Sequence, residues 1–144
     1  MATKTIRQRV IDALLLRVGA NRGLEQLDDQ DMPFTALVTG SESATESYDM
    51  VESTLPIVIG RAFKATGTKS DQWYAQGEQS LKDVITEVYV GGEELDGIPV
   101  QIEYTGSDVE QLTDGARGVM VQASFDIRYV WLHGDPTKTQ HEVV

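Results

Sequence analysis

"DGARGVMVQASFDIRYVWLHGDP", residues 114–136, decides how this chain folds. Val119, Val121, Ala123, Phe125, Ile127, Tyr129 and Trp131 fall on one parity, and Gln122, Ser124, Asp126 and Arg128 on the other. Strict alternation predicts a strand with one buried face. At about 3.3 Å per residue it would run roughly 40 Å, more than twice the usual strand length.

Upstream, "PVQIEYTG" places Val100, Ile102 and Tyr104 on one side and Gln101, Glu103 and Thr105 on the other. It predicts a second strand, joined to the first by a loop over 106–118 and paired antiparallel with it. That loop is longer than a hairpin needs and holds Val109 and Leu112 among polar residues, which fits either a functional loop or a bland mobile hairpin tip. Before it, "DQWYAQGEQSLKDVITEVYV" predicts a helix from about Ser70 or Asp71. Trp73, Gly77, Leu81, Val84, Ile85 and Val88 form its apolar stripe, and "GGEELDGIP" ends it.

The extended run "YDMVESTLPIVIGRAFKA" puts Leu55, Ile57, Ile59 and Phe63 on one parity, with Arg61 intruding. Pro56 lacks a ladder donor, so the expectation is one bent strand or two strands with a bulge near Ser53–Pro56. "GSESATES" at 40–47 reads as a polar break, "FTALVTG" from Phe34 as a core strand, and 19–33 as a loop. The first helix, "IRQRVIDALLLRV", is expected to be capped by Thr3 or Thr5 and to end at Gly19. Ile6, Val10, Ala13, Leu14 and Val18 share its apolar face. The fold class is therefore α+β: a single domain over 1–136, mainly an antiparallel four-stranded sheet with two helices packed on one face, then a flexible C-terminal tail over 137–144.

With 144 residues and 40% hydrophobic content, one core is affordable without disulfides or metals. The absence of cysteine excludes thiolate zinc sites and thiol nucleophiles. No segment has the length of a signal peptide's or membrane helix's apolar run, so a soluble protein is expected, with no membrane partner. The net charge of -11 argues against conventional nucleic-acid binding. It is distributed unevenly: Lys4, Arg7, Arg9, Arg17 and Arg22 crowd the first 22 residues, whereas 84–114 carry acids alone. Such asymmetry orients a protein toward partners, although an acidic surface also serves solubility alone.

Catalytic constellations are not evident. His133 and His141 both lie at or beyond the end of the last strand, where a positioned partner is not expected. "GTKS" at 67–70 lacks phosphate-loop spacing. Glu93–Glu94 and Asp28, Asp29 and Asp31 do not alternate as calcium ligands do. Glu103, Asp126 and Arg128 share the outward face of paired strands, where they can form cross-strand ion pairs or meet another subunit. The expectation is no enzyme, no cofactor and no metal.

The order of elements resembles the tail terminator proteins of long-tailed bacteriophages, lambda-type. The resemblance rests on the "IRQRVIDALLLRV" helix, the "DMPFTALVTG" strand, a second helix, an acidic turn and the terminal "VMVQASFDIRYVWLHGDP" strand, covering most of 5–136. It implies a structural virion protein of the tail or neck, assembled in the host cytoplasm. Its subunits form a homo-hexameric ring that caps the tail tube, stops its polymerisation and presents the surface for a head-completion or connector protein. DNA passes through the channel without specific binding. A head–tail connector or neck subunit is the nearest alternative. A small ligand-binding domain or enzyme with a pocket lined by Trp73, Phe125, Tyr129 and Trp131 is a more distant one.

Under that resemblance, Arg7, Arg9, Arg17, Gln122, Ser124, Asp126, Arg128, Val109, Leu112 and Arg117 are candidate subunit or partner contacts. Glu93, Glu94, Asp96, Asp108, Glu110 and Asp114 are a candidate acidic channel lining or docking surface. The length of the last strand then reads as reach toward neighbours.

Overall fold

A computed structural model describes residues 3–22, 33–66, 72–111 and 118–139. In chain order the elements are α1 (Ile6–Val18), β1 (Asn21–Arg22), β2 (Phe34–Thr39), β3 (Ser43–Ser47), β4 (Met50–Lys64), α2 (Gln72–Tyr89), β5 (Glu94–Leu95), β6 (Ile98–Pro99), β7 (Gln101–Gln111) and β8 (Gly118–Leu132). The stretch that alternates in the sequence is β8, and it pairs antiparallel with β4 along its whole length, from Met50↔Leu132 to Lys64↔Gly118. This ladder sets the register of everything else. Val119, Val121, Ala123, Phe125, Ile127 and Tyr129 are buried on one face, opposite Phe63, Arg61, Ile59, Ile57, Leu55 and Ser53.

The main sheet runs β1-β2-β4-β8-β7, with β3 pairing β4 beside β2. It is mainly antiparallel, as expected, but larger than four strands. Two-residue β1 adds a parallel edge, Asn21↔Ala36 and Arg22↔Leu37. β3 occupies the segment expected as a polar break, with Ser43↔Thr54 through Ser47↔Met50. All five of its side chains are exposed, so no apolar alternation marks it in the sequence.

Pro56 places no bulge in β4, which is one strand: the ladder to β8 continues through Pro56↔Asp126 without a shift. The Pro56 carbonyl accepts from Gly40 N at 2.8 Å, so this residue's hydrogen-bonding edge faces the β2–β3 side. A missing donor there falls at the gap between β2 and β3, where no ladder bond is lost. The bulge lies instead in β7, between Tyr104 and Gly106. β7 then continues to Gln111, so the first half of the expected 106–118 loop is strand.

α1 begins on Thr5, whose hydroxyl accepts from Gln8 N at 3.0 Å, and ends on Gly19, left-handed at φ 64. Its buried face is Ile6, Val10, Ile11, Leu14 and Val18; Ile11 joins the expected set and Ala13 is only half-buried. α2 buries Gly77, Leu81, Val84 and Val88, at the predicted helical spacing. Both helices share one core with the odd-numbered residues of β4 and β8. α2 approaches the sheet tightly at Gly77: a Cβ there would lie 2.5 Å from Val109 Cγ1 and 3.2 Å from Val119 Cγ1.

After β8 the chain folds back. Leu132 N donates to Lys138 O, Pro136 O accepts from Ile6 N at 2.7 Å, and Thr139 is buried. One orphan donor of the first turn of α1 is thereby satisfied. Residues 137–139, expected in the tail, are fastened to the body; 140–144 lie outside the described residues.

Candidate interface surfaces

The intruding Arg61 explains how the helices are held over the sheet. It points to the helix side, where its Nε donates to Thr35 Oγ1 at 2.8 Å and its Nη2 lies 2.7 Å from Glu87 Oε2 of α2. A longer contact, 3.4 Å, reaches the carbonyl of Val18 at the end of α1. Arg17 does the same for α2: its guanidinium donates to the carbonyls of Val88, Gly92 and Glu94 at 2.8–2.9 Å. Cations at these helix ends satisfy carbonyls that the helices leave open and oppose the negative end of each dipole.

Arg9 reaches across to the β5–β6 turn, where its Nε is 2.9 Å from Asp96 Oδ2 and its Nη2 is 3.0 Å from Asp96 O. That turn is made by Asp96 and Gly97, both at positive φ, and it buries Leu95 and Ile98 beneath it. The basic helix face and the acidic turn thus meet within one chain. Glu93 is also engaged internally: its carboxylate accepts from Ile102 N at 3.0 Å and its carbonyl from Val100 N. Glu94 keeps an exposed side chain.

Arg7 lies beside a polar cluster at the other end of α1. There Tyr129 Oη donates to the Glu42 carboxylate, and Trp131 Nε1 donates to the fully buried Ser53 Oγ at 2.8 Å. Burial is the main cause that pushes the Tyr129 phenol far above its ordinary value. The Glu42 carboxylate adds to the rise, and the Arg7 cation opposes it.

The sheet face away from the helices carries the even residues of β8. Gln122 sits between Gly60 and Asp108, Ser124 between Val58 and Gly106, Asp126 between Pro56 and Glu103, and Arg128 between Thr54 and Gln101. Asp126 directly opposite Glu103 is an unfavourable pairing, offset by a diagonal ion pair from Arg128 Nη2 to Glu103 Oε2 at 3.0 Å. Toward β2 the same face turns apolar, with Phe34, Val38, Pro56, Val58 and Met120 half-buried. Asp108 and Glu110 are exposed on the β7 edge, and Asp108 raises the Glu110 carboxyl above its usual range through a hydrogen bond and repulsion. Val109 points the other way, into the core against Gly77. Leu112, Asp114 and Arg117 lie outside the described residues.

Phe125 and Tyr129 are core residues, Phe125 ringed edge-on by Tyr89 and Tyr104. Trp73 packs at the rim of the core. Among the described residues, no group of three or more His, Cys, Asp or Glu is placed to hold a metal ion, and no helix is long and apolar enough to cross a membrane.

Two exposed features escaped the sequence reading. The β3–β4 hairpin turns on Tyr48 and Asp49, and Tyr48 is fully exposed with φ 55. His133 fastens this tip, its N donating to Asp49 O at 2.7 Å and its ring lying 3.3 Å from the Glu46 carboxylate. The second feature is an open groove of about 410 Å³ on the outer side of α1, lined by Lys4, Arg9, Asp12, Ala13, Leu16 and Asp96. A tyrosine in a polar stretch and a leucine at the edge of a helical stripe were the available signals. Comparison with known protein families found no family model that matches this chain, and comparison with curated proteins found no match.

Proposed function

We propose that this chain is a tail terminator of a long-tailed bacteriophage. It is a non-enzymatic subunit that forms a ring, expected to be hexameric, on the last ring of tube protein, ends tube growth and presents the head-joining surface. The observation that supports this reading most is the β3–β4 hairpin. Five β3 residues, all with exposed side chains, gain little apolar burial in a single chain, yet ordering each costs about 1–2 kcal/mol. A strand of that kind is worth keeping where a neighbour covers it.

The full-length β4–β8 ladder gives the hairpin a rigid base and the reach expected of a ring subunit. The sheet face away from the helices adds half-buried apolar side chains beside an ion-paired border, the mixture that suits subunit contact. Asp108 and Glu110 fit a surface that repels DNA and lets it slide, or one that docks a basic partner. Replacing both with Lys separates the two roles: slowed DNA passage marks a channel lining, and assembly that fails before DNA is involved marks docking.

The reading is tested by adding the chain to polymerising tube protein and imaging the products by negative stain. Rings at the ends of tubes of limited length are expected. Rings that leave tube growth unchanged would move the protein to another station in the neck, and monomers that never bind tubes would refute the reading.

A further inference from the structure

β7 is one edge of the main sheet, and on the opposite side β3 lies outermost on β4. The chain closes the first edge with its own side chains: Ile102 N donates to the Glu93 carboxylate at 3.0 Å, and Val109 N to the Asp108 carboxylate at 2.9 Å. The β3 edge is open. Pro56 O accepts from Gly40 N, so the even residues of β4 turn their bonding groups toward β2 and β3. Ser43, Thr45 and Ser47, opposite Thr54, Glu52 and Met50, therefore carry the ladder to β4, and the N–H and C=O of Ala44 and Glu46 point outward. Among the described residues no other backbone group meets them.

We propose that β3 is a docking strand: an extended basic segment of a partner protein adds to its open edge, with Lys or Arg opposite Glu42 and Glu46. The proposal rests on the reading of β3 as a contact strand and names what covers it.

The acids on this edge select the occupant. Opposing residues of an antiparallel pair share a face, so Ala44 and Glu46 lie on the helix side with Ser53 and Val51. Glu42, whose carboxylate accepts from Tyr129 Oη, lies on that side too. A second copy fits poorly. In each antiparallel register that overlaps Ala44 and Glu46 with those of another copy, Glu46 falls opposite or diagonal to a carboxylate, and like charges so placed repel. The net charge of -11 on each copy adds to that repulsion. Charged edges guard against self-pairing in this way, and the same carboxylates attract a strand with cations four residues apart. His133 lies 3.3 Å from one Glu46 oxygen, and a carboxylate accepts several hydrogen bonds, so an ammonium or guanidinium fits beside it.

In strand addition, backbone bonds supply affinity and alternate side chains supply specificity. Within β3 the outward bonds come from Ala44 and Glu46, so a single site is weak and a ring of sites gains by avidity.

The test uses the whole chain and a fluorescein-labelled peptide, Thr-Lys-Thr-Val-Thr-Lys-Thr, whose lysines are spaced to face Glu42 and Glu46. The control peptide has Glu in place of both Lys. Anisotropy titration is expected to show saturable binding of the Lys peptide, about tenfold tighter than the control, with slowed hydrogen exchange at the Ala44 and Glu46 amides. Ala44→Pro removes an outward N–H and no bond to β4, so thermal stability should hold while peptide binding falls severalfold. Glu46→Lys should shrink the preference for the Lys peptide. Equal binding of the two peptides, no saturable binding, or binding unchanged by Ala44→Pro would overturn the proposal. Self-association of the chain that Ala44→Pro abolishes would also overturn it, by assigning the edge to a second copy. If the peptide fails to bind while the chain still caps tubes, the edge assignment fails and the function stands. If the peptide binds while tubes grow unchecked, the docking strand stands and the function fails.

Discussion

Replacing Gly77 by Ala tests how closely α2 approaches the sheet. Alanine is the better helix former by about 1 kcal/mol, so on an unobstructed helix the change would stabilise. Here the new Cβ would lie 2.5 Å from Val109 Cγ1 and 3.2 Å from Val119 Cγ1. Carbon atoms at rest sit about 3.5–4.0 Å apart, so helix and strand must part by about an ångström. Overpacking of that kind costs about 1–3 kcal/mol. The net expectation is destabilisation by about 1 kcal/mol, worth about 3–4 °C in a chain of this size. Val109→Ala removes the obstructing methyl and costs about 1 kcal/mol alone through lost burial. The double variant should be no less stable than Val109→Ala, which leaves a coupling of about 1–2 kcal/mol between sites in contact. Urea unfolding followed by circular dichroism, with unchanged slopes, reads all four stabilities. A stabilised Gly77→Ala, or strictly additive losses, would refute the packing.

The remaining predictions concern charge and protons. Arg61→Met keeps length but strips the contacts to Glu87, Thr35 and Val18 O. Hydrogen bonds to charged groups contribute about 1.5–3 kcal/mol, and a loss near the lower end is expected because Glu87 is partly solvated; an unchanged urea midpoint would remove Arg61 from the account. Glu110 binds its proton more tightly in the folded chain because Asp108 faces it. Its contribution is therefore favourable below its unfolded value and is lost as pH rises through its folded value. Glu110→Gln should accordingly raise thermal stability at neutral pH and lose that advantage in acid; a gain that persists unchanged in acid would contradict the Asp108–Glu110 repulsion. Tyr129, pushed up mainly by burial and then by Glu42, contributes stability that is complete below the ordinary phenol value and declines as pH rises above it. Thermal melts at rising alkaline pH should fall less steeply for Tyr129→Phe than for the unaltered chain, and parallel slopes would count against the burial of this phenol.

The apolar parts of the fold were legible in the sequence because burial leaves a period. β8 and the odd residues of β4 alternate, and the α2 stripe from Leu81 to Val88 repeats at helical spacing. Thr5 and Gly19 carry the chemistry of a cap. The Arg128–Glu103 pair could be anticipated from the place of both residues on the outward face of paired strands. β3 was invisible for the converse reason, since a strand with every side chain in solvent has no pattern. Pro56 misled because a missing donor is costly only where a partner waits for it, and sequence does not reveal that β2 and β3 part company there.

The basic face of α1 was recognisable, but its partners were not. Arg9 and Asp96 are 87 residues apart in sequence, and only the positive-φ turn at Asp96–Gly97 brings the acidic segment under the helix. Val109 looked like a loop residue available to a neighbour because the strand it belongs to carries so few apolar residues. Its burial depends on Gly77, an absent side chain on another element.

The most direct test of the ring reading is electron microscopy of the chain mixed with growing tail tubes. A closed ring of this protein at the tube end, with tubes shorter than in its absence, is the predicted result. Tubes of unaltered length with bare ends, and a chain that remains monomeric beside them, would contradict it.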